Sequence, residues 1–298
     1  MSKSTKKHFR KLSTVDFCIL AFRNPIQMSK TERIILILLF IACSFPAVFA
    51  QNQNIAATRT SNFSINADEF LGYDSFGFSY QIKDNVFSKT KGKEFFEYKN
   101  VSLGKITKAD ILNPLKIVLF YEDFNSVVLL DNQLNKISEI NFSQNNIPIV
   151  VTAIGMSTQN QLWIYNSLNQ QIGLFDYLKN DYKTVSTPLT ENIKYYQTDF
   201  NTFYWIDEKN NWFSCDIFGK TTALGKVADF DKILIISPKQ YIFSKANLLY
   251  FKDIQNDGSE TLSEIGITEK SLNKFYYKDQ ILSIFTPKEI TNYKIVIP

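Results

Sequence analysis

Short apolar runs alternate with polar clusters along the chain from residue 51 to its end. The runs recur at intervals of about ten residues, and the clusters between them contain Asn, Asp, Gly, Ser and Lys. No long stretch follows the 3.6-residue period of an amphipathic helix. Aromatic residues make up 15% of the chain, and their side chains fit the half-buried surface of a pleated sheet. The pattern predicts an all-β fold.

One hairpin recurs six times in this region. Each copy has an apolar strand that ends in a large residue, a polar turn and a second apolar strand. The large residues, used here as anchors, are Ile82, Tyr121, Tyr165, Ile206, Phe243 and Phe285. Their spacings are 39, 44, 41, 37 and 42 residues. Four aspartates follow their anchors by 10 or 11 residues: Asp131, Asp176, Asp216 and Asp253. A period of about 40 residues with four short strands per unit predicts a six-bladed β-propeller over 51–298.

Closure of the ring is the remaining requirement. The last unit ends at Pro298 after about three strands, whereas the segment NFSI at 62–65 precedes the first complete unit. An isolated four-stranded sheet leaves a face unburied, and a closed ring buries each face against a neighbour. We therefore expect the N-terminal strand to complete the last blade. A two-sheet sandwich is the alternative, because its strands also recur at short spacing.

Two of the hairpins, YEDFNSVVLLD (121–131) and YNSLNQQIGLFD (165–176), resemble the central hairpin of NHL-type propeller repeats. In that family an Asp or Asn turn joins the second and third strands of a blade. The resemblance implies that these turns gather on one face of the disc, where propellers commonly meet ligands and partners. The candidate interaction residues there are Asp123, Asn125, Asn166, Asn169, Asp207, Asn210, Lys245, Asn247 and Lys288.

The first fifty residues differ in character from the rest and resemble a targeting segment. From Met28, a short basic region with Lys30 and Arg33 leads into an uncharged run over 34–50. The run ends in SFPAVFA, whose small residues fit a cleavage site. We interpret 28–50 as a signal peptide that precedes the propeller.

Two other interpretations of this segment stay open. A membrane anchor is one, but the uncharged run has 17 residues and contains Pro46, and about 20 apolar residues are needed to cross a bilayer. Lipid attachment at Cys43 is the other, because FIAC resembles a degenerate lipobox. Residues 1–27 precede a complete signal peptide and are interpreted as an extension. We expect an exported protein of the periplasm or outer membrane, with no stable membrane span after cleavage.

Removing this leader changes the net charge and the set of residues available for catalysis. The leader holds 8 of the 33 Lys and Arg but 2 of the 29 Asp and Glu, so the mature part carries 25 minus 27, or −2. That charge does not indicate nucleic-acid binding. The leader also holds His8, Cys18 and Cys43, which leaves Cys215 unpaired. An intrachain disulfide, a His/Cys zinc site and a His-dependent nucleophile are therefore excluded, and no catalytic residue is assigned.

The segment DIQNDGSETLSE, at 253–264, is the one candidate for a metal site. It places Asp253, Asp257 and Glu264 at positions 1, 5 and 12 of a calcium-binding loop. However, the segment follows an apolar strand, and Asn-Asp-Gly at 256–258 is typical of a tight turn. We favour the turn and expect no cofactor, with Ca²⁺ as the alternative.

Two further groups of side chains could have either a structural or a ligand-binding role. The lysines of KTKGK, at 89–93, could attract acidic ligands, and we interpret them as a solvated hairpin tip. Trp163, Trp205 and Trp212 could stack on sugars, and we expect them to pack between blades because they lie in the repeated hairpins.

These observations favour a non-catalytic protein-interaction module of the bacterial cell envelope, whose partners are other envelope proteins. The alternative is a carbohydrate-binding or ligand-binding propeller, because paired carboxylates and aromatic side chains can act on sugars without histidine. Two carboxylates about 5 to 9.5 Å apart in a central pocket would favour that alternative.

Overall fold

The computed structural model describes residues 53–145, 147–269 and 271–298. This part of the chain forms six β-sheets and two short 3-10 helices, at Glu122–Phe124 and Phe142–Gln144. The predicted signal peptide (28–50) and the extension before it (1–27) lie outside the described residues. Among the described residues, no helix has the length and apolar character needed to cross a bilayer.

The six sheets are the blades of a β-propeller, as the repeat predicts. Blade 1 contains β3 (Glu69–Tyr73), β4 (Ser79–Lys83), β5 (Val86–Lys91) and β6 (Glu94–Lys99). Blade 2 contains β7 (Lys108–Asp110), β8 (Ile117–Tyr121), β9 (Ser126–Leu130) and β10 (Lys136–Asn141). Blade 3 contains β11 (Val151–Met156), β12 (Gln161–Asn166), β13 (Gln171–Asp176) and β14 (Asp181–Thr184). Blade 4 contains β15 (Ile193–Thr198), β16 (Thr202–Asp207), β17 (Asn211–Asp216) and β18 (Thr221–Lys226). Blade 5 contains β19 (Lys232–Ser237), β20 (Gln240–Lys245), β21 (Leu248–Ile254), β22 (Glu260–Gly266) and β1 (Gln53–Ala56). Blade 6 contains β23 (Lys274–Lys278), β24 (Ile281–Phe285), β25 (Glu289–Lys294) and β2 (Thr58–Ser64).

The repeat read from the sequence corresponds to equivalent places in the blades. All six anchors lie in the second strand of their blade: β4, β8, β12, β16, β20 and β24. The four recurrent aspartates lie at or next to the end of the third strand. The Asp131 carboxylate accepts hydrogen bonds from the backbone N–H groups of Gln133 and Asn135, both at 2.8 Å. The aspartate recurs because its side chain builds the turn to the fourth strand.

The N-terminal strand closes the ring, which confirms the sequence-based expectation. β2 pairs antiparallel with β25, from Thr58 opposite Lys294 to Ser64 opposite Glu289. The sequence did not predict β1, which adds to blade 5 as a fifth strand, parallel to β22. The N-terminal segment therefore spans the outer edges of the last two blades, where it covers strand edges that would otherwise be open.

Apolar side chains fill five of the six interfaces between blades. Each of these five contains between eight and thirteen buried hydrophobic residues. Trp163, Trp205 and Trp212 lie in two of them and are at most 3% exposed, which confirms their predicted packing role. In the part of the chain that the structure describes, the interface between blades 6 and 1, here called the closure seam, has three such residues, Phe70, Phe285 and Ile290.

Polar side chains replace apolar ones at the closure seam. Tyr276, Ser283, Asn292 and Ser61 are register partners on four adjacent strands and form one row across blade 6. The Asn292 side-chain amide donates to Ser61 Oγ at 3.0 Å and to Tyr73 Oη, in blade 1, at 3.2 Å. Ser283 Oγ is buried without a hydrogen-bond partner among the described residues. The seam thus combines directional contacts with fewer buried apolar side chains than the other interfaces have.

Candidate functional site

The strand order gives the propeller two different faces. Strand direction alternates within each blade, so the turns between second and third strands lie on one face, which we call the hairpin face. The turns between first and second strands, and those between third and fourth, lie on the opposite face. All nine candidate interaction residues belong to the turns of the hairpin face or to the strand ends beside them.

The nine candidates differ in exposure. Five of them are exposed: Asp123, Asn169, Lys245, Asn247 and Lys288. Asn125 and Asn210 are half-buried, and both have the positive φ that a tight turn requires, at 46° and 63°. Asn166 and Asp207 are buried, at 1% and 3% exposure. The buried pair is not available to a partner in this arrangement.

Hydrogen bonds give the less exposed candidates a structural role. The Asn125 side chain accepts from the backbone N–H of Val151 at 3.0 Å and donates to the carbonyl of Ile149 at 2.7 Å, which ties blade 2 to blade 3. The Asp207 carboxylate accepts from the backbone N–H groups of Lys209 and Asn211, at 2.9 and 2.8 Å. These side chains therefore fix the shape of the hairpin face, while the exposed candidates remain available to a partner.

An apolar strip, which the candidate list missed, crosses the hairpin face over blades 2 and 3. Phe124, Ile147, Val150 and Leu168 are 48%, 50%, 41% and 60% exposed. Their loops adjoin, because Asn125 bonds to residues 149 and 151, and the Ser167 N–H donates to the Val150 carbonyl at 2.9 Å. Large apolar residues in polar turns, such as Leu168 between Ser167 and Asn169, are the sequence signal that could have found it.

The second candidate site is a central cavity of about 910 Å³. It is lined by the first strands of blades 1, 2, 4, 5 and 6 and by the segments next to them. The cavity wall combines aromatic and charged side chains. Five lysines line it, and four of them lie at or next to the start of a first strand: Lys108, Lys194, Lys232 and Lys274. Their separations of 86, 38 and 42 residues correspond to two, one and one repeats, a signal that the sequence reading missed.

Several charged groups of the cavity wall already contact residues of other blades. Lys274 forms an ion pair with Glu69 across the closure seam. Lys108 lies 5.1 Å from the centre of the Tyr196 ring. Asp110 accepts from the backbone N–H groups of Met156 and Leu112, at 2.7 and 2.8 Å, yet burial raises the pKa of its carboxyl above the ordinary value. The wall thus brings lysines and aromatic rings together, with Asp110 desolvated beside them.

The calcium-loop candidate forms a β-hairpin. Asp253 ends up in β21 opposite Thr261, whereas Glu264 lies in β22 opposite Tyr250, three residue pairs further along the ladder. The turn between the strands contains Asp257, whose carboxylate accepts from the Ser259 N–H at 2.9 Å. Among the described residues there is no group of three or more His, Cys, Asp and Glu side chains placed to hold a metal. The favoured interpretation, a turn without a cofactor, and its Ca²⁺ alternative both stay untested predictions.

The lysine cluster at 89–93 is not uniformly solvated, which corrects the sequence-based interpretation. Lys91 and Lys93 are exposed, but Lys89 is only 3% exposed. Its amine lies 4.2 Å from the centre of the Phe78 ring and 5.2 Å from that of Phe96. Burial lowers the pKa of Lys89 below its ordinary value. The alternation of β5 turns Lys89 inward, where the aromatic faces stabilise its charge.

Comparison with known proteins supports the fold. No family model and no curated protein matches the sequence. A member of the DUF4221 family from Bacteroides vulgatus superposes with a TM-score of 0.56 at 7% identity, covering 83% of this chain and 99% of that chain. A catalytically inactive virginiamycin B lyase from Staphylococcus aureus, with quinupristin, gives 0.53 at 10% identity, covering 79% and 99%. A streptogramin B lyase gives 0.50 at 14%, covering 80% and 98%. At these identities the likeness shows the fold alone.

Proposed function

We propose that the propeller is a non-catalytic protein-binding module of the bacterial cell envelope, and that it binds its partner through the hairpin face. The observation that carries the proposal is the apolar strip of Phe124, Ile147, Val150 and Leu168. Exposed apolar side chains grouped on one part of a surface, with polar residues around them, are typical of protein–protein interfaces.

The residues around the strip fit such an interface. Glu122 and Asp123 precede Phe124, and Asn169 follows Leu168, so polar and acidic groups border the apolar centre. Asn125 and Asn166 hold the turns in place through backbone hydrogen bonds. A surface that is already ordered loses little conformational entropy on binding.

The envelope location is part of the proposal and is supported by the leader sequence. Residues 28–50 have the basic start, apolar centre and small-residue end of a signal peptide. Cleavage would leave the propeller outside the cytoplasmic membrane, and lipid attachment at Cys43 would leave it on a membrane surface. Mass spectrometry of the N-terminus in the native envelope distinguishes a mature start at Gln51, a lipidated Cys43 and an intact leader.

Site-specific photo-crosslinking tests the binding face. A photoreactive amino acid at position 168 should give one discrete adduct with an envelope protein, and the same group at Gln133, exposed on the opposite face, should not. Val150→Lys, combined with the probe at 168, should abolish the adduct, because a charge in the centre of the strip would be desolvated on binding. Equal adducts from both positions, or an adduct insensitive to Val150→Lys, would count against the proposal.

Ligand binding in the central cavity is a second candidate function. Its support is the cavity volume of about 910 Å³, within the range of about 300 to 1,000 Å³ of small-molecule sites. The wall offers the aromatic rings and carboxylates that carbohydrate recognition would use, among them Tyr196, Tyr276 and Asp231. Native mass spectrometry of protein incubated with envelope glycan fragments tests it. A bound fragment lost in Tyr196→Ala supports this function, and the absence of any bound fragment removes it.

A further inference from the structure

Two turns on the opposite face present apolar residues to solvent in the same way. They join the third and fourth strands of blades 3 and 4, with the sequences DYLKN (176–180) and DIFGK (216–220). In each, the leading aspartate accepts a hydrogen bond from the backbone N–H two residues on, at 3.0 Å to Leu178 and 2.9 Å to Phe218. Leu178 is 72% exposed and Phe218 is 89% exposed. The aspartate thus fixes the turn so that the residue two positions after it lies at the tip.

Blade 2 has a polar residue at the position equivalent to Leu178 and Phe218. Its aspartate, Asp131, forms the same bond at 2.8 Å, and the residue at the tip is Gln133, which is exposed. The turn therefore does not require an apolar side chain. Leu178 and Phe218 contribute nothing to the core from where they lie, so their apolar character calls for another explanation.

Each apolar tip has a lysine beside it. Lys179 follows Leu178 directly, and its side chain is 78% exposed although its amine lies 3.5 Å from the Asp176 carboxylate, whose side chain is 15% exposed. Lys220 follows Phe218 by two residues and is exposed. In both turns the leading carboxylate accepts hydrogen bonds from the backbone, as Asp216 does from the N–H groups of Phe218 and Lys220. The exposed side chains of these turns therefore include the apolar residues and the lysines, whereas the leading aspartates are only half-exposed.

The turn of blade 4 is also held firmly. Gly219, with φ of 89°, lies so close to blade 3 that an added Cβ would come within 2.3 Å of the Val185 carbonyl oxygen. A turn backbone packed this closely against blade 3 loses little conformational freedom when Phe218 binds.

We propose that these two turns form an interfacial anchor, in which Leu178 and Phe218 enter the headgroup region of a bilayer and Lys179 and Lys220 contact anionic lipid headgroups. Protruding apolar side chains next to amines are suited to this region, because the apolar side chains reach the boundary with the acyl chains while the amines stay at the headgroups. The hairpin face differs, since its apolar strip is bordered by Glu122 and Asp123, which an anionic membrane would repel. The protein would then bind its membrane with one face and its protein partner with the other.

Vesicle co-sedimentation of the mature chain tests the anchor. The probes are vesicles of phosphatidylcholine alone and vesicles in which a third of the lipid is phosphatidylglycerol. The expected result is binding to the anionic vesicles that weakens as salt is raised, because headgroup attraction is screened. The double variant Leu178→Gln/Phe218→Gln should lower the apparent affinity by about tenfold or more, given the apolar area withdrawn. Lys179→Gln/Lys220→Gln should lower it severalfold, on anionic vesicles only.

Three controls keep the outcome decisive. Gln is the residue that blade 2 carries at this position, so the tip variants should fold, which circular dichroism verifies. Leu168→Gln, on the hairpin face, should leave vesicle binding unchanged, and Gln133→Leu should increase it. No binding to anionic vesicles, or binding unaffected by the tip variants, overturns the anchor. Loss of the photo-crosslinked adduct in the tip variants without any vesicle binding also overturns it and assigns the turns to a protein interface.

Discussion

The closure seam and the interface between blades 2 and 3 solve the same packing problem with different chemistry. The latter buries thirteen hydrophobic residues, including Phe142 and Phe175, whose rings meet edge to face at 5.1 Å. The seam buries three and depends on hydrogen bonds, such as the one from Tyr276 Oη to the Tyr73 carbonyl at 3.1 Å. Apolar burial stabilises in proportion to area, whereas a hydrogen bond gains about 1 kcal/mol. We therefore expect the ring to be weakest at the seam and to rely there on its N-terminal strand.

The largest expected effect comes from removing that strand. A chain that begins at Ile65 loses β1 and the whole β2 ladder and exposes the edge of β25 next to the sparsest interface, and a chain that begins at Thr58, which loses β1 alone, is the matched control. We expect the shortened chain to unfold without cooperativity and to aggregate through the open edge. Urea denaturation followed by tryptophan fluorescence measures this, with the chain from Gln51 as reference. A sharp transition at the reference midpoint would show that the seam does not need β2.

A matched pair of isoleucines in blade 6 compares the two kinds of interface directly. Ile284 faces the apolar interface with blade 5, and Ile290 faces the seam, and both are 0% exposed. We expect Ile284→Ala to cost about 4 kcal/mol and Ile290→Ala about 2 kcal/mol, because the less tightly packed site can relax around the lost atoms. Equal losses in denaturant titrations would show that the seam is packed as tightly as the rest.

Gly72 tests how closely the two blades approach at the seam. It has φ of 120°, and a Cβ there would lie 2.6 Å from the Tyr276 ring. Gly225 is the matched control, with φ of 127° and no atom within 4 Å of an added Cβ. We expect Gly225→Ala to cost about 1 kcal/mol from backbone strain and Gly72→Ala to cost about 1 to 2 kcal/mol more. Thermal unfolding of the two variants measures the difference, and equal shifts in Tm would contradict it.

Alkaline pH should weaken the seam through its tyrosines. Burial raises the pKa of Tyr276 to about 12, from an ordinary value near 10. The fold therefore favours the neutral phenol, so this contribution is fully present below pH ~10 and is lost as the pH rises towards 12. Stability should fall less steeply over this range in Tyr276→Phe than in the parent chain. Denaturant titrations at several pH values test this, and parallel pH profiles would assign the loss to other tyrosines.

The repeat was readable from the sequence because each blade needs the same strand and turn chemistry. The anchors Tyr165 and Ile206 repeat since the second strand is buried on both sides, and Asp176 and Asp216 repeat since their carboxylates build the turn. Asp123 and Asn169 lie on one face because strand direction alternates in the same way in every blade. These features depend on local pattern, which the sequence shows directly.

Features that depend on which blades meet could not be read in this way. β1 pairs with β22, more than two hundred residues away, and its four residues are too few to show a strand pattern in the sequence. The burial of Lys89 depends on Phe78 and Phe96 from neighbouring strands, and the separation of Glu264 from Asp253 depends on hairpin register. The polar row at the seam combines Ser61 with Asn292, which only ring closure brings together. Long-range pairing, and not local propensity, sets these positions.

The pairing of β2 with β25 also sets an order on assembly. Thr60 Oγ1 bonds to the Asn292 carbonyl at 3.0 Å, across a separation of 232 residues, so a strand near the start of the chain finds its place only when the end has been made. Until β2 pairs, blade 6 has three of its four strands and the edge of β25 is open. Contacts between such distant parts of a chain form slowly. A chaperone that binds the unpaired strand would therefore shorten the time during which the incomplete ring can aggregate.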